Sequence, residues 1–404
     1  MKGYTTLDDL DFKGKTVLIR IDINTTLDDD GTPQMSERIQ AAAETLEELA
    51  GKGAKTVVMA HQGRAGDPDF SSLQHHAKLL SECTGMEVRF IDDILGPAAR
   101  RAIGDLGEGD LLLLENVRML SEETLKVGPE EHSKSIMVQK LSPLIDIFVN
   151  DAFSAAHRSQ ASLVGFTIDR PKAIGRTMER EITSLARAME DPEKPCVYIL
   201  GGLKPDEAFK VMAHGLRSGS IDHAITCGVI GRICLIAKGI DTGPEDRKFF
   251  EKKGFMDFIP IARKLTEEFG EKLMTPVDLG AQRGNERVEV DVGDLPTDLE
   301  IFDIGEKTID LYRDVILSAR TLVMNGPAGV YEDSLFERGT RGIIQAVSDS
   351  EAFSLMGGGN TLDALDKLGF KKGVFSYVSL AGGALISYLG GEKMPALDAI
   401  ADRS

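Results

Sequence analysis

The chain has 404 residues, 42% of them hydrophobic, and its 65 acidic against 47 basic side chains give a formal net charge of −18. That length exceeds one comfortable core and fits two or three domains of roughly 150 residues each, while the acidic balance opposes nonspecific binding to nucleic acid or anionic membranes, because the overall field repels polyanions. No apolar run approaches the roughly 20 residues needed to cross a bilayer, and Met1 to Asp11 lacks the cationic and apolar regions of a secretion signal. The expectation is a soluble cytoplasmic protein with reduced cysteines, since Cys83, Cys196, Cys227 and Cys234 show no metal-ligand spacing.

Five apolar runs of strand length occupy the first half of the chain, and each ends on polar residues. Val17 to Ile21 ends on Asp22 and Asn24, Val57 to Ala60 on His61, and Val88 to Ile91 on Asp92. Leu111 to Leu114 ends on Glu115 and Asn116, and Ile145 to Val149 on Asn150. Between the first two runs, Ser36 to Ala50 has helical spacing, with Ile39, Ala42, Ala43, Leu46 and Leu49 on one stripe behind a Ser36 N-cap. Strands alternating with helices predict a parallel sheet covered on both faces. Ligands of such sheets bind beyond the carboxyl ends of the strands, where these polar residues fall.

A helical pattern over Ala173 to Met189 follows Pro171 and stops before Asp191-Pro192, so it reads as a connector. A second set of strands is predicted at Val197 to Leu200, Ala224 to Thr226, Leu273 to Val277, Thr321 to Met324, Phe353 to Met356 and Phe375 to Val378. The fold class is therefore α/β, with two Rossmann-like parallel-sheet lobes joined by a helical hinge.

Arg38, Arg64, Arg118 and Arg158 each lie within a few residues of a strand end or helix start. Guanidinium groups match carboxylate and phosphate oxygens in a bidentate way, so four of them with His61 around one crevice suit a small acid carrying both groups. Singly, each arginine reads more readily as a solvated surface side chain; jointly, at four strand-end loops, that reading weakens. Asp22 and Asn24 fit hydrogen bonding to a hydroxyl or an Asx turn after the strand, and His61 fits a binding role or a half-buried, satisfied ring. In the second half, glycines recur at strand ends: Gly201-Gly202, Gly228, Gly326 to Gly329, Gly357-Gly358-Gly359 and Gly382-Gly383. Glycine admits phosphate oxygens to backbone N–H groups, and Gly357 to Gly359 lead into a helix start near Thr361. Lys204 adds a cation. Neither a Gly-x-x-x-x-Gly-Lys-Ser/Thr loop nor a Gly-x-Gly-x-x-Gly after the first strand of either lobe is present.

Taken in order, Val17 to Asn24, His61-Gln62-Gly63-Arg64, Leu113 to Arg118, Asn150 to Ser162, Gly201 to Lys204, Asn325 to Glu332 and Gly357 to Gly359 resemble the motifs of the phosphoglycerate kinase family, most closely its archaeal branch. The resemblance spans nearly the whole chain. It implies a hinge-bending enzyme that moves a phosphoryl group between 1,3-bisphosphoglycerate and ADP, or from ATP to 3-phosphoglycerate, with Mg²⁺, its partners being small molecules and the chain a monomer or weak homodimer. Residues 1–172 with 389–404 would form the phosphoglycerate lobe, 173–190 the hinge and 191–388 the nucleotide lobe. By position, Asp22, Asn24, Arg38, His61, Arg64, Arg118 and Arg158 would hold the acid, while Lys204, Glu332, Gly357, Gly358, Gly359, Asn360 and Thr361 would hold the nucleotide. Arg38, Lys204 and the backbone at Gly382 and Gly383 would compensate charge on the transferring group; no residue is assigned to the metal.

Departures from the family pattern gather in the second half. Leu203 and Pro205 flank Lys204, Cys227-Gly228 with Arg232 shortly after replaces a Gly-Gly pair near the adenine, Asn360 stands where many members carry Asp, and Ser379-Leu380-Ala381-Gly382-Gly383 replaces Ser-Thr-Gly-Gly-Gly. Two alternatives stand beside the kinase: a paralogous phosphotransferase with an altered donor, and a phosphoglycerate-binding protein without turnover.

Overall fold

The apolar runs of the first half become parallel strands with small shifts of boundary: β1 (Thr16–Ile21), β2 (Lys55–Met59), β3 (Val88–Ile91), β4 (Leu111–Leu114) and β5 (Ile147–Asp151). These belong to a computed structural model that describes residues 3–402; Met1, Lys2, Arg403 and Ser404 lie outside the described residues. A sixth strand, β6 (Lys172–Ile174), pairs with β5 and completes the order β3-β4-β2-β1-β5-β6. Here the structure corrects the sequence: Ala173 and Ile174 extend the sheet, and the helix begins only at Arg176 and runs to Met189. Both residues are buried beside β5, and pairing there outweighs their helical periodicity.

Ser36 caps the helix Glu37–Gly51 as expected, its hydroxyl accepting from the Ile39 N–H at 3.5 Å. The stripe of Ile39, Ala42, Ala43, Leu46 and Leu49 is buried, and all of it but Ala43 shares one core with Val17, Ile19 and Ile21 of β1. The chain's last helix, Pro395–Ile400, packs on the short helix Ala161–Val164 and on β6, and Lys172 Nζ donates to the Ala399 carbonyl at 2.7 Å. By its contacts the chain divides into two compact units, the first ending at Thr183 and resuming at Lys393, the second spanning Ser184–Glu392.

The second unit contains β7 (Cys196–Leu200), β8 (His223–Thr226), β9 (Leu273–Met274), β10 (Asp278–Arg283), β11 (Glu286–Asp291), β12 (Glu300–Ile304), β13 (Thr321–Asn325), β14 (Phe353–Gly357) and β15 (Tyr377–Val378). Six form a parallel sheet in the order β15-β14-β13-β7-β8-β9. The run predicted at Leu273 to Val277 pairs only through Met274, because Pro276 has no N–H for a ladder. Strands β10, β11 and β12 form an antiparallel sheet that the reading above lacks. Its hairpin was written in the chain as Gly284-Asn285 between Arg283 and Glu286, with alternating Val288 and Val290 following.

Asp151, at the end of β5, ties three elements together. Its carboxylate accepts from the Thr45 hydroxyl at 2.6 Å and from the Met178 N–H at 2.9 Å, and its burial pushes the pKa up to about 6 against 3.8 for an ordinary Asp. An acid with a raised folded-state pKa holds its proton longer when folded, so its favourable contribution is present at low pH and is lost as pH rises through that interval. The expected result is that the unfolding free energy of the wild type, taken relative to Asp151→Asn, falls by about 2 kcal/mol as pH rises from about 4 to about 6. Urea titrations across that range check it.

Candidate active site

In the first unit the four central strands β4, β2, β1 and β5 deliver their carboxyl ends side by side. The Arg38 guanidinium, in the first turn of the helix Glu37–Gly51, lies 3.1 Å from the Asp22 carboxylate beyond β1. Asp22 also accepts from the Ser154 hydroxyl and from the Asn24 N–H at 3.1 Å. Burial opposes ionisation of Asp22, but Arg38, His61 and these donors together outweigh it and hold the carboxyl below its usual range. Asp22 makes the Asx turn by accepting from the Asn24 N–H, and Asn24 uses Oδ1 to accept from the Gly63 N–H at 2.8 Å, which fixes the loop after β2.

His61 is buried at the end of β2, and burial followed by the nearby Arg20 charge lowers its pKa well below the ordinary value. Arg118 donates to the Gly63 carbonyl. Its pKa is pushed down to about 10 by burial and then by Arg158, Arg20 and Arg64, and Arg158 is lowered by burial and by Arg64. Arg64, Arg118 and Arg158 line one cavity of about 740 Å³, with Leu125, Val127 and Ser159 on its other walls. All seven residues expected to hold an acid therefore gather at one edge of this sheet. Arg20 belongs with them and was absent from the sequence-based set, although a guanidinium inside the apolar run Val17 to Ile21 was its signal.

The framework under these cations is uncharged or acidic. Asn116 caps the turn carrying Arg118 and donates to the Gln62 and Ser71 carbonyls, both at 2.8 Å. Glu115 accepts from the Ser72 hydroxyl at 2.6 Å and the Leu73 N–H at 2.9 Å.

In the second unit, the ends of β7, β13 and β14, neighbours in the sheet, surround a cavity of about 110 Å³. Lys204, Gly358, Gly359, Asn360 and Thr361 line it with Glu207, whose carboxylate holds Lys204 Nζ at 2.9 Å. Glycine is required here by close approach: at Gly326, with φ 91°, a Cβ would stand 2.3 Å from the Gly201 carbonyl oxygen, and at Gly358, with φ 89°, 2.3 Å from Asn325 Oδ1. The Gly201 and Gly202 N–H groups are not offered to a ligand, for they donate to the Asn325 and Pro327 carbonyls at 3.0 and 2.8 Å. Thr361 is buried and its hydroxyl accepts from the Gly326 N–H at 2.8 Å. What remains for a ligand is the open first turn of the helix Gly359–Lys367, whose leading N–H groups have no partner within the helix.

Four expected residues stand outside that lining. Gly357 ends β14 beneath Leu385, Glu332 is exposed on the turn after Gly329, and Gly382 and Gly383 open the short helix Gly383–Leu389. Arg232 is turned into the interior: it pairs with Asp246, donates to the Ile301 carbonyl at 3.0 Å and lies 5.5 and 5.4 Å from the Phe249 and Phe250 ring centres. Among the described residues no cluster of three or more His, Cys, Asp or Glu is arranged to hold a metal ion.

A basic anion bed on one parallel sheet and a glycine-lined cavity with one lysine on another define a phosphotransferase of the two-unit α/β class. The phosphoglycerate kinase family model matches residues 7–392. The chain is 47% identical to the phosphoglycerate kinase of Methanothermobacter thermautotrophicus over 98% of its own length and 96% of that protein's, and 43% identical to that of Methanopyrus kandleri over 99% and 98%. Its structure is similar to the crystal structure of phosphoglycerate kinase from Pyrococcus horikoshii, with TM-score 0.88 and 38% identity over 98% of both chains. It is similar also to that from Coxiella burnetii, with TM-score 0.84 and 30% identity over 98% of both. The chain belongs to the phosphoglycerate kinase family, phosphotransferases with a carboxyl group as acceptor.

Since Arg232 serves the core, Arg232→Met should lower the stability of the protein by about 3 kcal/mol, because it leaves Asp246 buried without its partner. Nucleotide affinity should stay at the wild-type value. Urea unfolding and calorimetric titration with ADP check the two halves.

Proposed function

We propose that the arginine bed of the first unit holds 3-phosphoglycerate and that the glycine-lined cavity of the second holds the phosphates of ATP. The observation that carries the first half is the convergence of Arg64, Arg118 and Arg158 on one cavity, where a bound dianion would offset their like charges. Arg64, Arg118 and Arg158 grip the phosphate in this reading, while Asn24 Nδ2 and the Asp22–Arg38 pair face the acid's hydroxyl and carboxylate. Lys204 would exchange Glu207 for phosphate oxygen, the first turn of the helix at Gly359 and Asn360 would donate to the same chain, and Glu332 would take the ribose.

A carboxylate oxygen of 3-phosphoglycerate attacks the terminal phosphorus of ATP in line; the new P–O bond forms as the bond to the β-phosphate oxygen breaks, and ADP leaves with that electron pair. No protein nucleophile or proton transfer is needed. The chain's work is alignment and compensation of charge on the equatorial oxygens, assigned to Arg38, Lys204 and the backbone N–H groups at Gly382 and Gly383. Mg²⁺, when bound, neutralises charge on the nucleotide phosphates. With Asn360 neutral and, among the described residues, no acidic cluster present, its ligands would be chiefly those phosphates. Transfer requires acid and nucleotide in line with water excluded, since water would hydrolyse the acyl phosphate. The enzyme would act in the cytoplasm as a monomer or weak homodimer.

A coupled assay with ATP, GTP, CTP and pyrophosphate tests donor and activity together. Turnover of 3-phosphoglycerate with ATP is expected, and Arg38→Ala should lower kcat by about 10³-fold with an unchanged circular dichroism spectrum. Tight binding of 3-phosphoglycerate without turnover on any donor would overturn the kinase assignment for this chain.

A further inference from the structure

Beneath the arginine bed runs a buried line of polar side chains for which binding of the acid gives no reason. Arg20 sits inside β1 with none of its surface exposed, and its Nη2 lies 2.8 Å from His61 Nδ1. A guanidinium carries only donors and keeps its proton, so this contact has one polarity: Nδ1 accepts. The imidazole proton is thereby placed on Nε2. Protonating Nδ1 as well would set two donors against each other, in a ring already faced by Arg118 and Arg158, with Asp22 as its acidic neighbour.

The far side of Arg20 is directed just as strictly. Its Nε donates to Ser162 Oγ at 3.1 Å. Ser162 has a single hydroxyl proton, which goes to Glu123 Oε2 at 2.8 Å, and its backbone N–H goes to Glu123 Oε1 at 2.6 Å. Glu123 is only 2% exposed, so an acidic group has been taken out of water to accept these two bonds beside a buried cation. His132 is the other basic group near it. Every donor along the line has one acceptor, and the line ends on a ring of the acid site.

We propose that Glu123 is a positioning residue of that site: acting through Ser162 and Arg20, it locks His61 with its proton on Nε2, so that the ring meets the acid's oxygens as a donor. The inference rests on the placement of 3-phosphoglycerate among the arginines. Glutamine at 123 would offer one acceptor to two donors, so the Ser162 hydroxyl would turn and the guanidinium would lose the partner that presses it against Nδ1.

The test is nitrogen NMR of the His61 ring near neutral pH in the full-length protein, wild type against Glu123→Gln, followed by titration with 3-phosphoglycerate. The wild type should show the single Nε2–H pattern. Glu123→Gln should shift toward averaged tautomers and bind the acid about tenfold more weakly. A folded Glu123→Gln protein with the wild-type ring spectrum overturns the proposal. If that variant does not fold, Ser162→Ala, which keeps both charges and cuts the line between them, is read by the same spectrum with the same two outcomes. Failure of the wild type to bind 3-phosphoglycerate would instead overturn the acid-site placement, while the ring spectrum of the unliganded protein still decides the relay.

Discussion

Guanidinium groups crowded at one sheet edge, with too few carboxylates to neutralise them, set the terms for the first unit. Burial, and after it the charges of Arg158, Arg20 and Arg64, bring Arg118 down to about 10, in a chain whose net charge is −18. Charge of that density persists only when the backbone holds the side chains where they are. Asn24, Gln62, Asn116 and Glu115 serve that purpose, each binding the main chain of a loop that carries a cation or its neighbour. In the acid site proposed above, a dianionic ligand would complete the balance.

The nucleotide site proposed for the second unit is built by other means. Its cavity offers a single lysine, already paired with Glu207, and otherwise backbone. Bare peptide groups accommodate a polyphosphate because the chain can approach closely wherever a Cβ is missing. The cost is that several glycine amides are used within the fold: Gly201 and Gly202 donate to the Asn325 and Pro327 carbonyls, and Gly326 to the Thr361 hydroxyl. The cavity is thus shaped by interlocking loops, and the helix start at Gly359 has leading amides without a partner inside the helix.

Much of this was readable in the chain. The apolar runs became β1 to β5 almost as drawn, and Ser36 caps its helix, since both signals are local. The antiparallel hairpin of β10 and β11 carries a Gly-Asn turn, but its alternation is half exposed and weak in apolar residues, so no apolar run marks it. Arg20 was hidden by its position inside an apolar strand. Arg232 shows the converse: its place in the chain suggested the nucleotide, while its partner Asp246 and the flanking Phe249 and Phe250 come from a helix later in the chain.

From the sequence alone came the residue types, their order along the chain and the ends of strands on which they would fall, because hydrophobic period and turn chemistry act over a few residues. Tertiary structure decided which of those residues share an environment. Sheet order β4-β2-β1-β5 brings together Arg118, His61, Asp22 and Arg158 from distant segments, and only that juxtaposition depresses the arginines, gives His61 its tautomer and links Glu123 to it. Burial and charge coupling depend on distance in space, and no spacing along the chain encodes them.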